Sequence, residues 1–227
     1  MSEKNIEKRA KALLAGFFLL LVLLFSFICF SKAGVPEYVR GELTYEKEKE
    51  IAGENSRMTE YISLSPHGEF PRKDRITKIT IHHMGGDLTL EQVGNAYRRK
   101  NRKISSNYAI DSNGRVGLYV EEKNRSYAKD SNENDEQAVT IEVAGERDGD
   151  SAISRKAFKA LTELCADICY RNEITELTFT GNEEGTLTYH YMFNDETGCP
   201  GKYLKSNTDR LVKTVNRQLK ELRGERK

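Results

Sequence analysis

Apolar residues fall along this chain in three patterns, and each predicts a different kind of element. The first is an unbroken run, ALLAGFFLLLVLLFSFICF from Ala12 to Phe30, with no charge in it. It is about as long as a helix needs to cross the hydrocarbon of a bilayer. Lys4, Lys8, Arg9 and Lys11 precede it, and positive charge stays on the cytoplasmic side. The expectation is a single-pass cell-membrane anchor with everything from Ser31 onward outside. Ser31-Lys32-Ala33 ahead of Gly34 also satisfies the small-x-small rule of a cleaved signal peptide, which would leave a secreted protein. The length of the run favours the anchor.

The second pattern is alternation. In Arg75–His83, RITKITIHH, Ile79 and Ile81 alternate with Thr80 and His82, which predicts a strand with His82 on the face opposite the isoleucines. Asn107–Ile110 and Val116–Val120 read as two short strands around Asp111-Ser112-Asn113-Gly114, a hairpin signal because Asn-Gly takes positive φ readily. Ala138–Ala144, AVTIEVA, is another strand, and its interior charge is Glu142. Leu177–Thr180 reads as a further short one.

The third pattern is helical spacing. Thr89-Leu90-Glu91-Gln92 opens a helix with Val93, Ala96 and Tyr97 on one side, capped by Thr89 or Asp87. Ser154 caps a second helix running to about Asn172. Leu211–Leu219 falls in a terminal helix with Val212 and Val215. Strands interleaved with three helices predict an α/β domain of mixed α+β character, a central mixed sheet flanked by helices and preceded by the transmembrane helix. Residues 31–56 have no apolar period and carry the run Glu46-Lys47-Glu48-Lys49-Glu50. They read as a solvated tether or a short exposed helix. The expected organisation is a basic cytoplasmic tail (1–11), the anchor (12–30), a linker (31–56) and one domain (57–227).

Charge narrows the partners. Lys and Arg number 36 against 35 Asp and Glu, so there is no basic excess of the kind a nucleic-acid binder shows. The four cysteines are too few for a secreted disulfide scaffold. Cys165 and Cys169 share the apolar face of the second helix with Phe158, Leu161 and Ile168, and read as small buried hydrophobes. Nothing calls for an oligomer, and a monomer is expected.

The four histidines are His67, His82, His83 and His190. His82 and His83 end a strand against a Gly-Gly loop. His190 follows Thr188-Tyr189, and Cys199 lies nine residues later in Thr197-Gly198-Cys199-Pro200-Gly201. A strand-end histidine plus a His…Cys pair makes a three-ligand set that suits Zn²⁺ with a fourth position left open, the mark of a catalytic site. The same residues admit a cysteine hydrolase with Cys199 as nucleophile and His190 as base, or a structural zinc site if folding supplies a fourth ligand. Pro200 and its flanking glycines fit a ligand loop better than a nucleophile.

In order along the chain, IHHMGG, SSNYAIDSNG, AVTIEVAG, TGNEEGTLTYH and GCPGKYL resemble the type-2 N-acetylmuramoyl-L-alanine amidase family, and most of all its members from Gram-positive bacteria and their phages. The resemblance spans about Thr59 to Asn216. It implies a mixed sheet with flanking helices, a catalytic Zn²⁺, a peptidoglycan substrate, and hydrolysis of the amide between N-acetylmuramic acid and L-alanine by a zinc-activated water. Carried over, the ligands are His82, His190 and Cys199, with His82 rather than His83 as the first histidine after the apolar strand residue. Glu142 matches the acid that some members place beside the water, although a strand carboxylate can also simply face solvent. Thr197 matches a lysine or threonine near the reacting carbonyl, or stabilises its loop. Ser106 stands where several members have a tyrosine; Tyr108, two positions on, shares its face if the segment is regular. Relatives of this fold that bind peptidoglycan without cutting it have usually lost the cysteine, so Cys199 favours an enzyme over a recognition module.

Overall fold

The structure is a computed structural model, and it describes residues 34–128, 130–145 and 152–225. The basic tail and the apolar run of 12–30 lie outside the described residues. Among the described residues no helix is long and apolar enough to cross a membrane.

In chain order the elements are α1 (Glu37–Arg40), α2 (Tyr45–Glu54), β1 (Thr59–Ile62), β2 (Gly68–Glu69), β3 (Lys78–His83), α3 (Leu90–Tyr97), β4 (Tyr108–Ile110), β5 (Val116–Leu118) and β6 (Arg125–Ser126). Then follow α4 (Asn132–Gln137), β7 (Ala138–Val143), α5 (Arg155–Arg171), β8 (Leu187–Tyr189), a 3₁₀ turn (His190–Met192), α6 (Lys202–Ser206) and α7 (Thr208–Leu222). Six strands form one sheet in the order β1-β5-β4-β7-β3-β8. Within this sheet only the β4–β5 pair is antiparallel, closed by the Asp111–Gly114 turn, where Gly114 takes φ +83° and its N–H reaches the Asp111 carbonyl at 2.9 Å; β2 and β6 form a separate antiparallel pair. The pairs β1–β5, β4–β7, β7–β3 and β3–β8 are parallel. The sheet is therefore mixed, as the strand and helix alternation predicts.

The two faces of the sheet have different chemistry because side chains alternate along each strand. Ile79, Ile81, Val139, Ile141, Val143, Leu187 and Tyr189 join Phe158, Leu161, Cys165 and Ile168 of α5 and Leu211, Val215 and Leu219 of α7 in the main core. Cys165 and Cys169 are free and buried, and burial raises both thiol pKa values. The other face carries Thr80, Thr140 and Thr188, buried without apolar cover. Their hydroxyls pair with one another and with two amides: Thr80 Oγ1 and Thr188 Oγ1 are 2.8 Å apart, and Asn134 Nδ2 donates to Thr80 Oγ1 at 2.9 Å. Thr140 Oγ1 lies 2.7 Å from Ser126 Oγ and accepts from the Asn107 N–H at 3.0 Å. Pairing of this kind keeps buried polar groups from costing about 1–3 kcal/mol each. Further along this face, α3 packs Leu90, Val93 and Tyr97 on Ala109 and Tyr119.

Several elements depart from the hydrophobic pattern. Residues 35–56 hold α1 and α2, whose Val39 and Ile51 are buried in the main core, and the compact unit begins at Val35. One apolar residue per helix leaves no period to read, yet it is enough when Asn55 and Ser56 lock the segment down. Glu122 N–H donates to Asn55 Oδ1 at 2.8 Å, and Ser56 N–H to the Tyr108 hydroxyl at 2.9 Å. Leu177–Thr180 forms no strand. Thr178 and Thr186 exchange side-chain-to-backbone bonds, Thr178 N–H to Thr186 Oγ1 at 2.8 Å and Thr186 N–H to Thr178 Oγ1 at 3.2 Å, in place of a ladder. The strand here is β8, whose three residues are too few to show alternation, and it pairs with β3.

Candidate metal and catalytic site

Three parallel neighbours deliver the site. His82 is the fifth residue of β3; β7 places Glu142 opposite it in register, and β8 runs alongside so that His190 opens the turn just beyond its end. Strand parity puts His82 and Glu142 on the polar face with the threonines. Cys199 returns on the following loop: its carbonyl accepts from Tyr191 N–H at 3.1 Å, and its own N–H donates to Thr197 Oγ1 at 3.2 Å. Gly201, at φ +88°, closes the turn with a 2.9 Å bond from its N–H to the Gly198 carbonyl.

One ligand atom each of His82, His190 and Cys199 lies within 4.8 Å of the others. The His82 and His190 rings are 5.0 Å apart at their centroids. His82 Nδ1 is 3.8 Å from Cys199 Sγ. A tetrahedral zinc with ordinary bond lengths needs about 3.6 Å between a sulfur and a nitrogen ligand, so the spacing and the donor set both fit that ion. The Cys199 sulfur also accepts the His83 N–H at 3.3 Å.

The acidic partners divide into two groups. Glu142 has one oxygen, Oε2, that is buried with no hydrogen-bond partner among the described residues. Burial pushes its carboxyl above the usual range; the His82 charge opposes this and Asp130 adds to it. Asp130, which nothing in the sequence pattern singled out, sits behind His82 with its Oδ2 3.1 Å from Nε2. For His82 itself, burial alone would lower the pKa, but Asp130 on one side and Cys199 on the other raise it well above the ordinary value. Asp130 Oδ1 and Asp135 Oδ1 are buried with no N–H or O–H donor among the described residues, and the two carboxyls are in hydrogen-bonding contact. Burial first, then the Asp130 charge, raises Asp135.

His82, His190, Cys199 and Glu142 line a cleft of about 340 Å³, with Asp130 and Asp135 outside its lining. Met84, Leu88, Val93 and Ile104 give it an apolar wall, and Thr197, Arg102 and Tyr97 are also exposed to it. His83 borders the cleft, with its Nδ1 accepting the Gly85 N–H at 2.9 Å. His67 lies elsewhere, its Nε2 3.0 Å from the Arg99 carbonyl. Tyr108 is not in the cleft. Its hydroxyl donates to Glu122 Oε1 at 2.6 Å on the far side of the sheet. Parity from Ser106 fails because β4 begins only at Tyr108, and the Asn107 N–H goes to a threonine hydroxyl instead of a ladder carbonyl. The phenol near Ser106 is that of Tyr97, 3.1 Å from the Ser106 hydroxyl.

Residues 72–202 match the family model described as N-acetylmuramoyl-L-alanine amidase. No curated protein sequence matches the chain. Among solved structures, a mutant endolysin from Bacillus subtilis superposes with a TM-score of 0.55 at 13% identity, over 68% of this chain and 97% of that one. The catalytic domain of XlyA gives 0.54 at 14%, over 68% and 97%. A selenomethionyl AmpD derivative gives 0.51 at 14%, over 67% and 93%. At these identities the likeness is one of fold.

Proposed function

Because the chain belongs to the type-2 N-acetylmuramoyl-L-alanine amidase family, we propose that it is a peptidoglycan hydrolase cutting the amide between N-acetylmuramic acid and L-alanine, with Zn²⁺ held by His82, His190 and Cys199. The observation that carries this reading is the meeting of three ligand atoms, within 4.8 Å of one another, with a buried, unpartnered carboxylate oxygen at the adjoining register position. When bound, Zn²⁺ supplies Lewis acidity that brings the pKa of water down to about 7 and polarises the scissile carbonyl.

The rest of the chemistry belongs to the chain. Glu142 takes the proton of the attacking water and delivers it to the departing alanine nitrogen. Its raised carboxyl pKa suits a group that must hold a proton between those steps. The Thr197 hydroxyl accepts the Cys199 N–H through its oxygen, so its hydrogen is available to donate to the developing oxyanion. The apolar wall of Met84, Leu88 and Val93 receives the methyl groups of the lactyl and alanyl units and keeps bulk water off the reacting carbonyl. The chain is proposed to act as a monomer. The 12–30 run, led by Lys4, Lys8, Arg9 and Lys11, anchors the domain outside the cell membrane. Mature protein starting at Gly34 in the medium would replace the anchor with a cleaved signal.

Digestion of purified peptidoglycan by the full chain tests the activity. The expected products are stem peptides with a free L-alanine amine and glycan strands with no new reducing ends. New reducing ends without free alanine would make it a glycosidase, and binding without release would make it a recognition module.

A further inference from the structure

His82 is held from both sides of its ring, and the two sides are chemically distinct. Nδ1 points at the Cys199 sulfur, 3.8 Å away, inside the ligand cluster. Nε2 points the opposite way, at Asp130 Oδ2, 3.1 Å away. Both side chains are sealed from solvent, His82 at 3% and Asp130 at 0% exposure. Asp130 is not among the clustered ligand atoms, so it stands behind the histidine as a partner of the ring.

A buried carboxylate facing a ring nitrogen at this distance needs a proton between them, because two lone pairs would repel. That proton belongs on Nε2. A ligating imidazole has given up one of its two N–H protons, so with Nε2–H kept by Asp130 it is Nδ1 that would present its lone pair, on the side of the Cys199 sulfur. The place of Asp130 is itself determined by the strands that carry the two histidines. It immediately precedes Ser131, which caps α4 by accepting the Asn134 N–H at 3.0 Å. The Asn134 amide in turn bridges β3 and β8, donating to Thr80 Oγ1 at 2.9 Å and accepting from Thr188 Oγ1 at 3.4 Å. From inside α4, the Asp135 carboxyl lies beside that of Asp130.

We propose that Asp130 is a positioning residue of the cation site: it holds His82 as the Nε2–H tautomer so that Nδ1 is the ligand atom, and α4 exists in this fold to place it. The inference rests on the zinc reading above and adds to it the ligating atom and the residue that selects it. A carboxylate behind a histidine ligand raises its basicity and fixes its rotation, and losing such a partner weakens metal binding about 10–100-fold.

The test uses the full chain, zinc competition with a chromophoric chelator, and ¹⁵N imidazole spectra of the zinc-loaded protein. The parent should bind one zinc, with the His82 Nδ1 resonance shifted by the metal and Nε2 still protonated. Asp130→Asn should weaken zinc binding about 10–100-fold, and Asp130→Glu should recover part of it. Asp135→Asn, which leaves the Asp130 carboxylate on Nε2 in place, should bind as the parent does. Zinc on Nε2 of His82 in the parent overturns the proposal without needing any variant. So does Asp130→Asn binding zinc within threefold of the parent. A parent that binds no zinc overturns the zinc reading and this inference with it, whereas a parent that binds zinc while Asp130→Asn has no effect removes this inference alone.

Discussion

Glu142→Gln separates a catalytic carboxylate from an ordinary strand charge, because the two roles predict opposite pairs of results. The substitution keeps the size of the side chain and removes its ability to take a proton. As the proton carrier beside the cleft, Glu142 contributes about 10²–10⁴-fold in rate, so its loss costs about 3–5 kcal/mol of barrier. Stability should move the other way. The carboxyl is buried with Oε2 unpartnered, and its pKa in the folded protein lies above the unfolded value. Below the unfolded value both states are protonated and the group is neutral to stability. As pH rises through the folded value, the fold has to carry a buried charge, and stability is lost. Glutamine carries none, so the metal-free variant should melt above the metal-free parent at neutral pH, and the gap should close toward pH 4. A solvent-facing glutamate predicts a rate within threefold and a stability change of roughly 0.5 kcal/mol or less at either pH. The assays are turnover on a muramyl-peptide at saturating zinc and calorimetric melts of chelator-treated protein at two pH values. Parent-like turnover together with a pH-independent melting difference would refute the assignment.

Metal removal should abolish amidase activity and lower the melting temperature, with both restored by about one equivalent of zinc, read by calorimetry and metal analysis. At zinc a thousandfold above Kd the stabilisation should approach about 4 kcal/mol, and a His82→Ala, Cys199→Ser double variant that retains stoichiometric zinc would sink the ligand set. Arg171→Leu should destabilise the chain by about 3–5 kcal/mol in urea titrations, because Glu122 is buried and would lose bonds of 2.9 and 2.6 Å from the two terminal guanidinium nitrogens; a loss under about 1 kcal/mol would mean that Tyr108 and Asn172 suffice. Arg72→Met should cost a similar amount while leaving zinc binding intact. Its guanidinium donates to the carbonyls of Glu122, Asn124, Asp135, Glu136 and Ala138, and the Asn124 carbonyl would keep a bond from Asn107 Nδ2 at 3.3 Å.

The parts of this molecule that were legible in the sequence are those set by local rules. The β3 alternation put His82 opposite the isoleucines, and the Asn-Gly signal marked the β4–β5 turn. Ser154 caps α5 through the Ala157 N–H at 2.9 Å. The meeting of His82, His190 and Cys199 came from motif order, since no local rule joins residues more than a hundred positions apart. Asp130 and α4 were not legible because NENDEQ has no apolar stripe. Asn134 docks it through an amide on two threonines, and polar complementarity has no period. Tyr108 misled for a related reason: counting by twos needs a regular ladder, and Asn107 interrupts it. Tyr97 could have been suspected only by knowing that α3 lies over the end of β4.

β8 has one neighbour in the sheet, β3, and the segment that returns Cys199 to His82 begins where it ends. The contacts that complete the cluster span 108 residues between Thr80 and Thr188 and 117 between His82 and Cys199. Closing a loop of that size costs about 4 kcal/mol in chain entropy, so these contacts form late, after the more local β4–β5 hairpin and α5. During synthesis the strands bearing His82 and Glu142 are complete while His190 and Cys199 have yet to be made. A cation captured by all three ligands would pin the edge strand in place and slow its peeling from β3. A site built this way is complete only when β8 and the segment from His190 to Cys199 have docked, after everything before them has been made.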